Sequence, residues 1–474
     1  MSGHIVYAGA PMATLSEAGE AFRGLSRAAE SFLAFAQRHP GEAWELDERV
    51  VTLPDWLPPG HSSTLQPWPT FVGGEKLREM RRATVEVTRL VKSVPERIFG
   101  NDAKQISRFF GIGNEALTAL LLVPPNGIDE GFARCDLIDS AEGFKCLEVN
   151  ASARIGGWDV RLWADLYRKT PRIAEFLAEQ GLEISFVDTL EVMFSQIVQH
   201  STQRGLGREG SLNIAVVVNP EVVQNNARAE GHFNMVLAEV LRGRGLEGRV
   251  WIGTYHDLRA AGGLAYHRSG ARIHAVVEYT DTMTPTEIFR CFKAERISLY
   301  GGPISNILAD KRNLALLSQH QDSDRFDARD RDLIRAHVPW SRLVLSGGTG
   351  DGREALPTFD DLLAGRERLV LKKGLSYKGQ DVVIGPHTAP QDWEKALRTA
   401  FAAGDWMVQE HVVSRPYLYY HRERGPCPHE VVWGTFCFGS TYGGEFLRML
   451  AEGLGKGIVS YAHGATKGFL FTVE

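Results

Sequence analysis

Apolar residues at helical spacing dominate the N-terminal part of the chain. In residues 16–37 they recur every three or four positions, which predicts a helix with one buried face. The same spacing predicts a helix over residues 75–90 and further helices in AKQISRFF and EALTALLLV. The stretch LPDWLPPGHSSTLQPWP is rich in Pro and is expected to be irregular. Residues 1–125 are therefore predicted to form a mainly helical region, and no catalytic or binding pattern is visible in it.

Strand patterns begin only after this region. Between residues 211 and 302, apolar strands alternate with helical stretches such as HFNMVLAEVLRGRG and PTEIFRCFKAE, which is typical of a small parallel α/β unit. From residue 368 onward, strands follow one another through Gly-rich turns, which indicates antiparallel sheet. We therefore expect an α/β (α+β) fold. The predicted strands are FARCDLID, FKCLEVNAS, NIAVVVN, RIHAVVEY, RLVLKK, DVVIG, WMVQEHVV, VVWGTFCFG and EFLRML.

Composition argues against several classes of protein. The 474 residues are 43% hydrophobic, which is enough to bury a large core, and two or three domains are the natural expectation. The formal net charge of −5 argues against a nucleic-acid partner, because phosphate binding needs a broad basic surface. No stretch of about 18 apolar residues occurs, so no membrane association is expected. The five cysteines include no CxxC pair, which fits a reducing cytoplasm better than a disulfide framework or a thiolate zinc site.

The clearest candidate for chemistry is the segment FARCDLIDSAEGFKCLEVNAS. It predicts two strands joined by a short turn, in which Gly143 adopts a positive φ. A hairpin centred on residue 142 pairs Asp136 with Glu148 and Arg134 with Asn150. Because side chains alternate along a strand, these four side chains share one face. The opposite face, which is expected to point to the core, carries Cys135, Leu137, Leu147 and Val149.

The two acids of this hairpin predict a bound cation. Carboxylates placed directly across a sheet repel each other, so the pairing needs positive charge between them. Mg²⁺ accepts carboxylate and amide oxygens, and it usually takes one or two carboxylates with waters and substrate phosphates. Asp136, Glu148 and Asn150 would suit such a site. A hairpin whose polar face meets only water would show the same pattern, so this segment alone leaves both interpretations open.

Two later segments have features of a nucleotide site. RLVLKKGLSYKGQDVVIG is a strand ending in lysine, a loop with Gly374 and Gly379, and a second strand. Such a loop can offer backbone N–H groups to phosphates while Lys372 supplies a point charge. WMVQEHVV places Gln409 and Glu410 inside an apolar strand, where an adenine edge and a ribose would satisfy them. A basic surface turn and a solvated edge strand are the alternatives.

Taken together, these segments resemble the ATP-grasp superfamily. Its common members place the metal-binding Glu-x-Asn after the nucleotide lysines, whereas here Glu148-Val149-Asn150 comes long before Lys372. This order is similar to the circularly permuted branch of the superfamily, to which glutathionylspermidine synthetase belongs. The resemblance covers roughly residues 105 to 474.

The resemblance implies a role for each matching residue. Arg134, in Arg-x-Asp, would steady the transferring phosphoryl group, and Arg448, in EFLRML, would face the phosphates from a late strand. The ligands of Mg²⁺ would be Asp136, Glu148 and Asn150. The residues that contact ATP would be Lys311, Lys372, Gly374, Gly379, Gln409, Glu410 and Val412, with residues 374–379 as a lid.

The resemblance also implies a fold and a reaction. A permuted ATP-grasp core would comprise a metal-binding part at 126–205 and a nucleotide-binding part at 309–474, with a small pre-ATP-grasp-like α/β domain at 206–308. The implied protein is an ADP-forming ligase that joins the carboxylate of a small molecule or peptide to an amine through an acyl phosphate. ATP-dependent phosphotransfer and non-catalytic nucleotide binding are the alternatives. The substrates and the oligomeric state have no readable pattern.

Two further patterns are weaker candidates. SGGTGDG, at 346–352, lacks the Gly-Lys-Ser/Thr ending of a phosphate loop, so a mobile surface loop is expected. The histidines of HVVSRPYLYYHRERGPCPHE are irregularly spaced and Cys427 has no sulfur neighbour, so no zinc site is expected. The Tyr and His cluster there is interpreted as a substrate wall or plain surface.

Overall fold

The structure is a computed structural model that describes residues 14–39, 44–52, 61–123, 131–345, 356–376 and 381–473. Its helices are, in chain order, α1 (Leu15–Arg23), α2 (Arg27–Gln37), α3 (Gly74–Arg97), α4 (Ala103–Phe109), α5 (Glu115–Leu122), α6 (Val160–Lys169), α7 (Pro171–Gln180), α8 (Thr189–Gln203), α9 (Val223–Ala227), α10 (Glu230–Arg242), α11 (Thr286–Lys293), α12 (Ser305–Leu308), α13 (Arg312–Gln319), α14 (Ala328–His337), α15 (Phe359–Ala364) and α16 (Pro390–Ala403).

The strands complete a mixed α/β fold, as predicted. They are β1 (Thr70–Val72), β2 (Phe132–Ser140), β3 (Gly143–Asn150), β4 (Ile214–Val218), β5 (Val250–Gly253), β6 (Leu258–Ala261), β7 (Leu264–His267), β8 (Arg272–Ile273), β9 (Ala275–Tyr279), β10 (Ser298–Tyr300), β11 (Ser341–Val344), β12 (Leu369–Lys373), β13 (Val382–Ile384), β14 (Trp406–Glu410), β15 (Tyr417–His421), β16 (Gly425–Phe438), β17 (Thr441–Ala451), β18 (Thr466–Gly468) and β19 (Leu470–Thr472).

The helix predicted over residues 16–37 is in fact two helices. Gly24 follows the end of α1, and Ser26 begins α2 as its N-cap. The Ser26 hydroxyl accepts a hydrogen bond from Ala29 N at 3.0 Å and donates one to Phe71 O at 2.8 Å. A hydroxyl at this position satisfies a backbone donor that the helix leaves free, which favours a break here over a continuous helix. The other predicted N-terminal helices are confirmed as α3, α4 and α5.

Three sheets position the functional site. The hairpin sheet has the order β18-β17-β16-β2-β3, with β15 also paired to β16, and the lysine sheet has the order β11-β14-β12-β13. Both are antiparallel, as predicted for the strands after residue 368. The parallel sheet, with the order β10-β9-β4-β5, confirms the parallel unit predicted within residues 211–302. A small antiparallel sheet of β6, β7 and β8 inserted in that unit was not predicted.

The buried apolar residues show how these parts are joined. The N-terminal helices share one core with the hairpin sheet, in which Phe22 and Phe32 belong to the same cluster as Trp433. The lysine sheet packs on α15 and α16 around a separate core that includes Trp393. Burial of these apolar surfaces is the main force that holds the sheets in place. No helix in the described ranges is long and apolar enough to cross a membrane.

Candidate active site

Around the two acids, the register of the hairpin is the one that the sequence predicts, and nearer the turn it differs by one residue. β2 and β3 place Asp136 opposite Glu148 and Arg134 opposite Asn150. Gly143 has a φ of 94° at the turn, a conformation that few other residues adopt. The four polar side chains therefore lie on one face of the hairpin sheet.

A β-bulge interrupts the hairpin directly beyond the two acids. Leu137 pairs with Cys146, so Leu147 is the additional residue on β3. Cys146 is consequently buried in the core, whereas Leu147 lines a cleft. The prediction that Leu147 faces the core is wrong, because a bulge changes the direction of the side chains on one strand.

Asp136 lies between two arginines. Arg134 donates from Nε to Oδ1 at 2.9 Å and from Nη2 to Oδ2 at 3.3 Å, and Arg448 Nη2 lies 2.6 Å from Oδ2. Burial alone would raise the pKa of Asp136, but the two guanidinium groups outweigh it and hold that pKa far below its usual range. Asp136 is therefore an ionised carboxylate that fixes the positions of both arginines.

Glu148 is the more accessible of the two acids. Its side chain is 26% exposed, whereas that of Asp136 is 5% exposed. Lys311 Nζ lies 3.5 Å from Glu148 Oε2. The Asn150 amide donates to Glu148 Oε1 at 3.1 Å and to Asp136 Oδ2 at 3.4 Å. An amide group thus lies between the two carboxylates, where the sequence predicts a cation.

Glu148 and the side-chain oxygen of Asn150 could hold one Mg²⁺ ion, and Glu148 would then be its principal ligand. In the described part of the chain, no three His, Cys, Asp or Glu side chains form a cluster that could hold a metal by itself. Mg²⁺ needs fewer protein ligands, because water and phosphate oxygens usually complete its shell. The Asn150 amide would present its oxygen in place of its nitrogen after rotation about its side-chain bond. Asp136 could join the shell through Oδ1, which accepts one hydrogen bond from Arg134 and has a second lone pair.

Lys372 connects the two antiparallel sheets. From β12 its Nζ donates to Gln409 Oε1 at 2.6 Å and to the main-chain oxygen of Leu147, on the bulge, at 3.1 Å. Burial, together with the nearby cation of Lys311, lowers the pKa of Lys372 to about 8 against the attraction of Glu148. Additional negative charge in the cleft would therefore favour the protonated lysine.

The polar residues of β14 already have partners. Gln409 is buried, and its amide donates to Ser341 Oγ at 3.2 Å while its oxygen binds Lys372. Glu410 Oε1 accepts a hydrogen bond from Trp340 N at 2.9 Å. The two bonds of Gln409 use one of its two N–H groups and one of the two lone pairs on its oxygen, so they are compatible with the adenine contact that the resemblance implies.

Gly374 is tightly packed. Its main-chain oxygen accepts from Lys311 N at 3.0 Å, and a Cβ added to it would lie 2.6 Å from Asp310 Oδ1. Lys311 Nζ donates to Ser376 O at 2.8 Å, so this segment is attached to the lysine through two contacts. Gly379 and the motif at 346–352 lie outside the described residues.

One cleft brings most of the predicted site residues together. It has a volume of about 2280 Å³ and extends from the space between the hairpin and lysine sheets to the carboxyl edge of the parallel sheet. Lys311 and Gly374 lie behind its lining, although Lys311 contacts Glu148. The predicted site residues in the lining are Arg134, Asp136, Glu148, Asn150, Lys372, Gln409, Glu410, Val412 and Arg448.

Three parts of the lining were missed from the sequence. The first is the segment 453–461 after β17, in which Gly453 and Gly457 have positive φ. The repeated glycines of EGLGKG were the sequence signal that could have indicated this loop. The second is the turn after α4 together with part of α5. It was missed because the helical N-terminal region shows no catalytic or binding pattern in the sequence. The third is the carboxyl edge of the parallel sheet, which alternating strands and helices by themselves would have indicated.

The aromatic cluster around β15 belongs to the core. Tyr417 and Tyr419 are buried, the Tyr417 hydroxyl bonds to Asp139, and the Tyr419 hydroxyl lies 2.8 Å from Thr70 Oγ1. The Tyr419 ring also packs edge-on against Phe22 at 5.3 Å between centroids. The interpretation of the cluster as a substrate wall or plain surface is wrong for these two tyrosines, because α1 covers β15, whereas His411 and His429 of the same segment do line the cleft.

Comparison with known proteins identifies no family for this chain. The chain matches no protein-family model and no curated protein sequence.

Proposed function

We propose that the protein is a magnesium-dependent, ADP-forming carboxylate–amine ligase of the circularly permuted ATP-grasp type. The observation that supports it best is the position of two acids, Asp136 and Glu148, on a sheet that Lys372 joins to a second antiparallel sheet. Such a cleft between two sheets is suited to a nucleotide, with its phosphates at the acids and its base between the apolar strand surfaces.

The charges around the two acids of the hairpin suit a triphosphate. Four cationic side chains, from two arginines and two lysines, surround only two carboxylates. Transfer of a phosphoryl group spreads negative charge over its oxygens, and cations already fixed in place stabilise that charge without reorganising. The pairing of Asp136 with Arg134 and Arg448 provides this fixation.

The proposed reaction has two steps. An oxygen of the substrate carboxylate attacks the γ-phosphorus of ATP, the bond to the β-phosphate oxygen breaks, and ADP and an acyl phosphate form. The amine nitrogen then attacks the acyl carbon, and phosphate leaves as the amide forms. Mg²⁺, held by Glu148 and Asn150, would neutralise phosphate oxygens during the first step. We place the reaction in the cytoplasm, where ATP is abundant and the five free cysteines stay reduced.

An ADP-release screen over paired amino acids, small peptides and polyamines tests the proposal. Glu148→Ala should abolish release, whereas Glu142→Ala, an exposed acid in the turn of the same hairpin, should retain it. A phosphorylated product that needs no amine would instead indicate phosphotransfer. ADP release that survives Glu148→Ala would contradict the proposed site.

A further inference from the structure

The carboxyl edge of the parallel sheet has a natural crevice. In the order β10-β9-β4-β5, the chain proceeds from β4 outward to β5 on one side and from β9 outward to β10 on the other. The loops that follow β4 and β9 therefore separate, and ligands of open α/β sheets bind at such a switch point. Here the crevice opens into the cleft that contains Asp136 and Glu148.

A side-chain bridge holds the two loops of this crevice. Asn219, which follows β4, accepts at Oδ1 from Asp281 N at 2.8 Å and from the hydroxyl of Thr280. Asp281 in turn pairs with Arg154, from the segment after β3. These contacts give the crevice a defined shape in which both loops line the cleft.

Glu278 is the buried acid of this crevice. It lies near the end of β9 and is 7% exposed. Its Oε1 accepts hydrogen bonds from Thr284 Oγ1 at 2.6 Å and from the Tyr255 hydroxyl. Its Oε2 accepts no hydrogen bond from the described part of the chain and points toward Gly302, where an added Cβ would lie 3.6 Å away. A carboxylate held by one oxygen thus presents the other to a ligand in the cleft.

The crevice contacts the segment that follows the predicted magnesium ligands. A Cβ added to Gly301 would lie 3.0 Å from the main-chain oxygen of Glu278 and 3.1 Å from Ala153 Cβ. Ala153 belongs to the short segment that follows Asn150, and Arg134 Nη1 donates to Ile155 O in the same segment at 2.8 Å. The segment 151–155 therefore contacts the edge that carries Glu278 on one side and Arg134, beside the predicted metal ligands, on the other.

We propose that Glu278 binds a primary aliphatic amine as its ammonium ion and accepts the proton that the amine must lose before it attacks. This inference rests on the proposed ligase function and names the class of its second substrate. The exposed apolar side chains of Met283 and Val222, which line the same edge, would contact the carbon chain of such an amine.

The protons balance in this scheme. An ammonium ion gives one proton to Glu278 Oε2, and the free amine forms its bond to the acyl carbon. The bond from that carbon to the phosphate oxygen breaks, and the departing phosphate takes the second proton from nitrogen. Glu278 then returns its proton to solvent. An aliphatic ammonium ion has no lone pair, so the reaction depends on this transfer.

The surroundings of Glu278 suit a proton acceptor at neutral pH. Burial raises the pKa of Glu278 to about 7, and the hydrogen bond from Thr284 opposes this only in part. Tyr255 is the titratable group that contacts it, and the nearby Arg154 and Asp281 pair with each other. A carboxyl group with a pKa near the working pH is an efficient general base.

Glu278→Gln tests the proposal with two nucleophiles. The glutamine oxygen can still accept from Thr284 and Tyr255, so the fold should persist, and thermal unfolding should verify this. With the carboxylate and aliphatic amine found by the ADP screen, amide formation should fall by about 10²- to 10⁴-fold. Formation of the hydroxamate from the same carboxylate and hydroxylamine, which is largely unprotonated at neutral pH, should stay within about twofold of the original protein. The exposed Glu287→Gln on α11 is the matched control and should change neither rate.

The two products of the Glu278→Gln experiment distinguish the role of Glu278 from the ligase function itself. Loss of both products in a folded Glu278→Gln variant, or loss of neither, would overturn the role of Glu278. A protein that forms no hydroxamate with any carboxylate would instead contradict the ligase proposal. As a further check, amide formation by Glu278→Gln should rise about tenfold per pH unit with the free amine, whereas the original protein should level off above pH 7.

Discussion

Lys372 Nζ donates a hydrogen bond to the main-chain oxygen of Leu147 at 3.1 Å, and this contact joins the lysine sheet to the hairpin sheet beside Glu148. The oxygen is available because the bulge at Leu147 interrupts the regular pairing of β2 with β3. One irregular residue thus places the lysine next to the acids.

Removal of this lysine should weaken nucleotide binding. Lys372→Met would delete one charge-assisted contact to phosphate, so the Kd for a non-hydrolysable ATP analogue should rise by about thirtyfold, or about 2 kcal/mol. Lys373→Met is the matched control, because Lys373 is adjacent, more exposed and lies 3.9 Å from Asp405. Isothermal titration calorimetry measures both. Equal losses for the two variants would contradict the assignment of Lys372 to the phosphates.

Nucleotide binding should take up a proton in alkaline solution. In the free protein burial lowers the pKa of Lys372 to about 8, so the lysine is increasingly neutral above that pH. Bound phosphates would raise this pKa, and affinity should therefore decline as pH rises through 8. Calorimetry at pH 8.5 in buffers of different ionisation enthalpy should detect the uptake, and Lys372→Met should remove it. Proton release on binding would rule the scheme out.

Glu148 should set the requirement for Mg²⁺. Glu148→Gln retains an oxygen ligand but loses the charge, so half-maximal ADP release should need at least about tenfold more Mg²⁺. Glu142→Gln, in the turn of the same hairpin, should leave the Mg²⁺ titration unchanged. If Glu148→Gln lowered the maximal rate with no change in the Mg²⁺ requirement, Glu148 would not be the principal ligand.

Asp136 should contribute strongly to stability. Asp136→Asn would leave the partly buried guanidinium groups of Arg134 and Arg448 without their common counter-charge, and unfolding in urea should become easier by about 3 kcal/mol. The pKa of Asp136 is lowered in the folded state, so its contribution is complete above the pKa of the unfolded chain and is lost only as pH falls toward the folded value. The difference between the two proteins should therefore shrink in acid.

A matched control separates this effect from the loss of any surface acid. Asp165, on α6, is half exposed and lies 3.9 Å from Arg168. Asp165→Asn should change the free energy of unfolding by less than about 0.5 kcal/mol, because exposed ion pairs contribute little. A comparable loss in both variants would mean that the two arginines do not depend on Asp136.

The sequence by itself determined the strands and turns that depend on residues close together in the chain. Alternation along FARCDLID and FKCLEVNAS, with Gly143 between them, predicted two strands and placed Asp136 opposite Glu148. The observed turn pairs Ser140 with Gly143, one residue away from the predicted centre, and the bulge at Leu147 compensates for this difference before the acids are reached. The division of the first helix at Gly24 and Ser26 was missed although it too is local, since capping competes with an uninterrupted apolar face.

Only the tertiary structure decided which distant residues meet. The contact of Lys372 with Leu147 and that of Arg448 with Asp136 each join parts of the chain that no local pattern connects. The burial of Tyr419 beneath α1 and the opening of Glu278 into the cleft likewise depend on how separate sheets pack. Local propensity specifies strands and turns, whereas the burial of apolar surface between them selects the arrangement that assembles the cleft.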